Sequence, residues 1–477
     1  MKKNYLLAFS FVILCLGTPS LSPATQLNPW QQNRDTGFDI PIIQPPHSLP
    51  LLTILLEFSD LPHRDNQDPN VRDQDPDVIE SQIFGCDNNP GIRCMNGYWR
   101  ESSYGQFEFD NVGYFDWVTA WDDPDTLEDE STVAYWNSLR DYGAGKFRWW
   151  ALLSLYKATN FSFETFDFDG DNHIVLGPEL AVQIIDSRDS TGGSSRHLSQ
   201  NAYDEDSGEQ VPNWPPEEDF STFFKLGDTS FTGSVALTHG GAVDIGAPFY
   251  IFAHELGHST FGFYDLYPAG RLPEPIWFTL YGGPNGPHHL DPFQRFKIGW
   301  LEPTVIEEDG WYAIDDVETS NDAYILHNPM LGTDEYFIVE NRWAGSSYDN
   351  SDLTPPNVNS NIEDEGLILW HIDESREWNG NYSNGISKLQ LIQRDGQSQN
   401  YSAIAFNAAD IDCYDFNDLS IPVNAQFWGG VNSNLGVWAV SEAGHTMEAY
   451  FDVPGPGILA YPKKLHKKAM INKIKAG

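Results

Sequence analysis

The sequence predicts an α+β protein: a mixed first part built round one histidine-bearing helix, then a β-rich C-terminal region. Three observations predict it. The stretch Ala253-His254-Glu255-Leu256-Gly257-His258-Ser259 lies among apolar residues that suit a buried helix. After Pro303 the texture turns to short β-like runs separated by loops rich in Asp, Asn and Gly. The 477-residue length exceeds one ordinary core and predicts two or three domains, and 40% hydrophobic with 14% aromatic residues supplies ample apolar material for them.

The N-terminus is read as a secretory signal over residues 1–24. Lys2 and Lys3 precede the apolar run Leu6 to Leu16, and small residues follow. That run is too short for a convincing membrane span. Cleavage after Ala24 is expected, with Pro19 to Ser20 as the alternative. Leu14, just before Cys15, is bulky for a lipoprotein site, which favours release and a secreted, extracellular protein. Residues 25–47 are polar and proline-containing, a linker or short pro-segment too small to be a folded inhibitory domain. The expected division then runs 48–305, 306–460 and a basic tail over 461–477 that carries Lys463, Lys464, Lys467, Lys468, Lys473 and Lys475.

Acidic side chains outnumber basic ones 69 to 27, a formal net charge of -42. Such a chain repels phosphates, so nucleic acid and anionic membrane are excluded as partners, and no stable membrane insertion is expected. Its many aspartates can instead supply oxygen ligands for calcium.

Taken in order, Leu51 to Phe58 is the first core strand, ended by the turn Ser59-Asp60-Leu61-Pro62. Asp65 to Asp77 reads as a surface loop. Cys86 and Cys94 flank the polar segment Asp87 to Arg93 and suit a local disulfide in an oxidising compartment, while Cys413 has no evident partner. Phe107 and Phe109 alternate as in a strand or hairpin. Trp136 to Ala158 reads as a helix whose tryptophans face a core, with Gly143 and Gly145 against continuity.

Asp167, Asp169 and Asp171 stand at alternate positions of a tight acidic loop, as calcium ligands do. Asn172 replaces the usual glycine of such a loop, Pro178 occupies its last position, and Glu179 comes one residue late. These four acids are the candidate ligands of a structural calcium. Residues 184–226 read as a polar surface segment, and Phe231 to Ala236 as an edge or hairpin strand. Pro248 suits the first turn of the histidine helix and Gly262 its end. A short helix is expected around Asp291 to Ile298. The later strands are Gly310–Ile314, Ala323–Leu326, Tyr336–Glu340, Gly366–Ile372, Ser387–Gln393 and Leu435–Val440.

Residues four apart on a helix share a face, so His254 and His258 can hold one zinc ion from the same side. Glu255 beside them suits a general base. A third donor is needed, and Asp265, His288 and His289 are its candidates. Tyr264, Tyr267, His288 and His289 are candidates for stabilising an oxyanion. His371, inside the apolar run Leu367 to Ile372, reads as structural.

The chain resembles the secreted M6 metallopeptidases, the immune inhibitor A-like proteases of the metzincin-like group. The resemblance spans roughly residues 50–455 and rests on several segments in the family's order. These are Ile54 to Ser59, Ser102-Ser103-Tyr104-Gly105, His254 to Tyr267, and Lys297-Ile298-Gly299-Trp300. They continue with Glu340-Asn341-Arg342, Gly366 to Asp373 and Gln393 to Gly396. It implies a metzincin-like zinc metalloprotease domain over 48–305, with His254, His258 and Asp265 on zinc and Glu255 as base. Protein or peptide substrates follow. Two departures stand out. Gly262 and Asp265 come four and seven residues after His258, one later than the family pattern, and Tyr281 stands where the family's methionine would. The rival readings are a catalytically inactive zinc-containing binding or adhesion protein, and another hydrolase. For the latter no pair of carboxylates stands out as acid and base.

Overall fold

The structure is a computed structural model. It describes residues 47–63, 74–88, 93–125, 129–138, 145–189, 192–198, 224–241, 249–263, 265–266, 279–282, 289–317, 319–343, 365–376, 388–392, 413–415, 427, 431 and 433–454. All of these belong to one compact unit, Asp35–Gly477; the other unit, Met1–Arg34, lies outside the described residues. So do the expected signal, most of the 25–47 segment and the basic tail.

The first part is a mixed sheet with helices on both faces. Strand β1 (His47–Glu57) pairs in parallel with β2 (Phe107–Asn111), β3 (Tyr114–Thr119) and, on its other side, β5 (Ala181–Asp186). Beyond β5 runs β8 (Thr229–His239), parallel to β5 and to β4 (His173–Leu176). Two short strands, β6 (Gly193–His197) and β7 (Lys225–Leu226), join β8 antiparallel.

Successive residues of a strand point to opposite faces, and here they sort into two separate cores. Leu49, Leu51, Leu55, Ala181, Ile185 and Ala236 face a cluster with α1 (Pro76–Asn88), α2 (Met95–Ser102) and the histidine helix, α5 (Phe249–Phe261). Leu52, Ile54, Leu56, Val182, Ile184, Val235 and Leu237 face the other cluster, with Trp136 of α3 (Val133–Ser138) and Phe147, Leu152 and Leu155 of α4 (Gly145–Thr159). A sheet covered on both faces needs strands that are apolar on both faces. This is why Leu51 to Leu56 reads as an almost unbroken apolar run. Within α5, fully burying Phe252 and Leu256 contributes ~1.5–3 kcal/mol each.

The second part holds two further sheets. One has the order β14 (Leu389–Leu391), β13 (Gly366–Asp373), β12 (Glu335–Arg342), β11 (Tyr324–Leu326), β9 (Thr304–Val305). The other runs β10 (Gly310–Asp315), β17 (Thr446–Asp452), β16 (Gly436–Trp438), β15 (Cys413–Asp415). They share one core that includes Phe337, Val339, Leu367, Leu369, Val437 and Phe451. A buried ion pair ties this part to the first. Arg295 of α6 (Pro292–Lys297) places Nη2 2.6 Å from Glu340 Oε2, and Glu340 Oε1 accepts hydrogen bonds from Arg342 Nε and the Trp370 indole.

The fold is therefore α+β, with parallel and antiparallel sheets. Several local expectations change. Phe231–Ala236 lies inside β8, which pairs with four strands and is no edge, while the hairpin alternative holds, since β7 and β8 pair antiparallel across Gly227-Asp228. The supposed surface segment 184–226 begins inside the fully buried strand Ala181–Asp186 and holds a further strand, Gly193–His197. Of the Trp136–Ala158 stretch, α3 and α4 are helical, and residues 139–144 between them lie outside the described residues. Helix α1 begins at Pro76, within the stretch read as a loop. The expected disulfide between Cys86 and Cys94 is present. The surroundings of the Cys413 side chain lie outside the described residues. No helix among the described residues is long and apolar enough to cross a membrane.

Candidate metal centre

Helix α5 carries His254 and His258 one turn apart, and their Nε2 atoms approach to 3.1 Å. The helix ends at Gly262, whose φ of 69° is the left-handed conformation that glycine adopts without strain. Gly262 N–H donates to His258 O and Phe263 N–H to Gly257 O, closing the last turn. The chain then folds back under the helix. Asp265 arrives with Oδ1 3.2 Å from both imidazole Nε2 atoms. The extra residue in this bend therefore does not keep Asp265 from the histidines.

These three side chains form a converging donor set. A tetrahedral zinc with bonds of about 2.0–2.1 Å separates its ligand atoms by roughly 3.3 Å, close to the spacings here. The other ring nitrogens are committed elsewhere. His254 Nδ1–H donates to Leu280 O at 3.0 Å, and His258 Nδ1–H to Phe263 O. Those bonds leave a lone pair on each Nε2, aimed at the carboxylate oxygen. Asp265 Oδ1 is buried and makes no hydrogen bond of acceptable geometry, although both rings are near. Three electron-pair donors facing one another without a proton donor suit a cation, so the residues fit zinc.

Glu255 is buried beside the donors. Burial pushes its carboxyl up to about 7, with Asp265 adding to the rise while His254 and Arg148 oppose it. A dication held by the donors would pull it down again.

The neighbouring strand β6 comes close to this carboxylate. A Cβ on Gly193 would stand 2.8 Å from Glu255 Cγ and 2.9 Å from Oε1, so only glycine fits there. His239 N–H donates to Gly192 O and Leu198 N–H to Gly233 O. By the alternation of an antiparallel ladder, the backbone groups of Gly193 and Ser195 then face the outer side of β6. Among the described residues no strand pairs with that side. Behind β6, the buried guanidinium of Arg148 donates through Nη2 to Ser194 O and Oγ, at 2.7 and 2.9 Å, and through Nε to Val235 O. The sequence reading missed both residues. The signal for Arg148 was a lone arginine in the apolar stretch Phe147 to Leu155; Gly193 had none, because its partner Glu255 is distant in the chain.

Other candidates separate. His289 is buried ahead of α6 and does not join the donor set. Tyr264, Tyr267 and His288 lie outside the described residues. His371 sits on β13 with Nε2 2.9 Å from Glu335 Oε1 and its ring stacked on Phe337, a structural setting.

In the acidic loop, Asp167, Asp169 and Glu179 bring carboxylate oxygens together, and Asp171 is not part of the group. Asn172 adopts φ 61°, supplying the left-handed residue that such a loop needs without glycine. Asp167 accepts the backbone N–H groups of Gly170, Asp171 and Asn172, while Asp171 accepts that of His173. Partial desolvation and then the neighbouring aspartates raise the Glu179 carboxyl.

No family model matches the chain, and no curated protein matches it.

Proposed function

We propose that the protein is a secreted zinc-dependent endopeptidase acting on protein or peptide substrates. The observation that carries the reading is the placement of Glu255. It is a buried carboxylate beside a three-donor metal set and next to Gly193, on the side of β6 that no strand among the described residues pairs with. An extended peptide can add to such an edge through Gly193 and Ser195, which favours a polypeptide as substrate. His254, His258 and Asp265 would hold the metal, which when bound supplies Lewis acidity toward a carbonyl and acidifies water. Glu255 takes a proton from the attacking water and returns it to the leaving amine. Arg148 holds the strand that would align the substrate, and burial limits water around the carboxylate.

A second reading shares the metal-holding half of this argument: a non-catalytic zinc-containing binding protein. The convergence of His254, His258 and Asp265 supports metal binding in either case, and taken alone it supports this second reading more directly than cleavage. The Glu255→Gln variant separates the two. It is expected to retain one zinc per chain and to lose cleavage of a denatured protein substrate by roughly 100- to 10,000-fold. Unchanged cleavage sinks the mechanism; zinc in the wild-type protein without any cleavage establishes the second reading. We further assign the Asp167, Asp169 and Glu179 group to a structural calcium, tested below.

A further inference from the structure

Tyr281 lies far from α5 in the chain yet touches all three residues of the donor set or their immediate backbone. Its hydroxyl donates to the main-chain carbonyl of His254 at 3.1 Å. Its ring centroid stands 4.8 Å from each imidazole, tilted 32° to His254 and 62° to His258. Its own carbonyl accepts the N–H of Leu266, the residue after Asp265, at 2.8 Å. The preceding carbonyl, of Leu280, receives the Nδ1–H of His254. The turn that presents these groups is held at its start. Thr279 donates its hydroxyl to Asp291 Oδ2 and accepts the Asp291 N–H, while Asp291 Oδ1 caps α6 at Gln294 N–H.

The fit of this phenol depends on one residue of the histidine helix. A Cβ at Gly257 would fall 1.6 Å from the Tyr281 hydroxyl oxygen and 2.9 Å from its Cζ. Any other residue at 257 would displace either the ring or the helix. Glycine in a helix interior is otherwise unfavourable by about 1 kcal/mol relative to alanine, and here the approach of Tyr281 accounts for it.

We propose that Tyr281 is a positioning residue that sets the geometry of His254, His258 and Asp265 together, and that position 257 is glycine to admit it. The proposal rests on the metal-site reading above but not on peptidase activity. The hydroxyl is engaged by the helix backbone, so Tyr281 acts through the ligands and is not a catalytic residue. A side chain that only filled the core would serve equally well without its hydroxyl.

The experiment is a set of metal titrations on the full protein, with Zn²⁺ against a competing chelator and Co²⁺ followed by its visible absorption. Tyr281→Phe keeps ring and backbone. It is expected to weaken zinc roughly 10-fold or more, the usual effect of losing a partner that orients a ligand, and to change the Co²⁺ bands. Gly257→Ala is expected to weaken zinc further. In the double variant, removing the hydroxyl relieves the closest contact, so the loss should be smaller than the sum of the two singles. Wild-type affinity and an unchanged Co²⁺ spectrum in Tyr281→Phe overturn the proposal, whatever Gly257→Ala does, including failure to fold. A wild-type protein that binds neither ion overturns the metal-site reading and this proposal together, whereas zinc binding without proteolysis leaves only the peptidase reading refuted.

Discussion

Replacing Asp291 by asparagine should stabilise the protein at neutral pH, although it removes a charge from a helix cap. Asp291 is fully buried; its oxygens accept from Gln294 N–H and the Thr279 hydroxyl. Burial pushes its carboxyl up to about 6 from an ordinary 3.8, against the lowering effect of those hydrogen bonds and of Arg295. The folded protein therefore binds this proton more tightly than the unfolded chain does. Between about pH 4 and pH 6 the native state carries more protons, so stability falls as pH rises through that window. A shift of roughly 2 units at 1.36 kcal/mol each corresponds to about 3 kcal/mol, absent at pH 4 and fully expressed above pH 7. Asparagine resembles the protonated acid and can still cap α6. Thermal unfolding of wild type and Asp291→Asn across pH 4–8 reads the difference, since other titrating groups cancel between the two. The variant should match wild type at pH 4 and exceed it increasingly toward pH 8. A gap that stays constant with pH, or a wild type that is the more stable at pH 8, refutes the reasoning.

Two further predictions concern Gly193 and the acidic loop. Gly193→Ala puts a methyl group against Glu255 Cγ and Oε1 and against the Leu237 carbonyl of β8, so kcat/KM on a peptide should fall at least roughly 10-fold with zinc content unchanged; full activity would place the working carboxylate elsewhere. Calcium at about 100 times its Kd should stabilise the wild type by about 2.7 kcal/mol. Glu179→Gln should lose most of that gain, and a wild-type melting temperature indifferent to millimolar calcium would remove the site.

Much of the metal site was legible in the chain because its parts are local. Two histidines at helical spacing, a glutamate between them, and a glycine where the helix must stop all lie within one short segment, and helix periodicity alone puts them on one face. The close cysteines are legible for the same reason, as are the apolar runs that became β12 and β13. What failed was pairing. The edge alternative for Phe231–Ala236 fails because a short run contains nothing about its neighbours, and β8 pairs with four strands. Ile184 to Asp186 reads as surface because it adjoins a polar stretch, although it ends a strand covered on both faces.

The sequence by itself determined that a buried helix would offer two imidazoles and a carboxylate, with an aspartate a few residues beyond. Tertiary structure decided whether that aspartate reaches. It does, because Gly262 turns the chain back under α5. Tertiary structure alone also brought Gly193 against Glu255, Arg148 against Ser194 of β6, and Tyr281 beneath both histidines, across separations of 62, 46 and, from Tyr281 to His254, 27 residues. The reason is physical. Helical spacing is imposed by backbone geometry within a few residues, whereas packing partners are selected by the closing of a whole core, and no local pattern encodes which distant residue will fill the space left by a glycine.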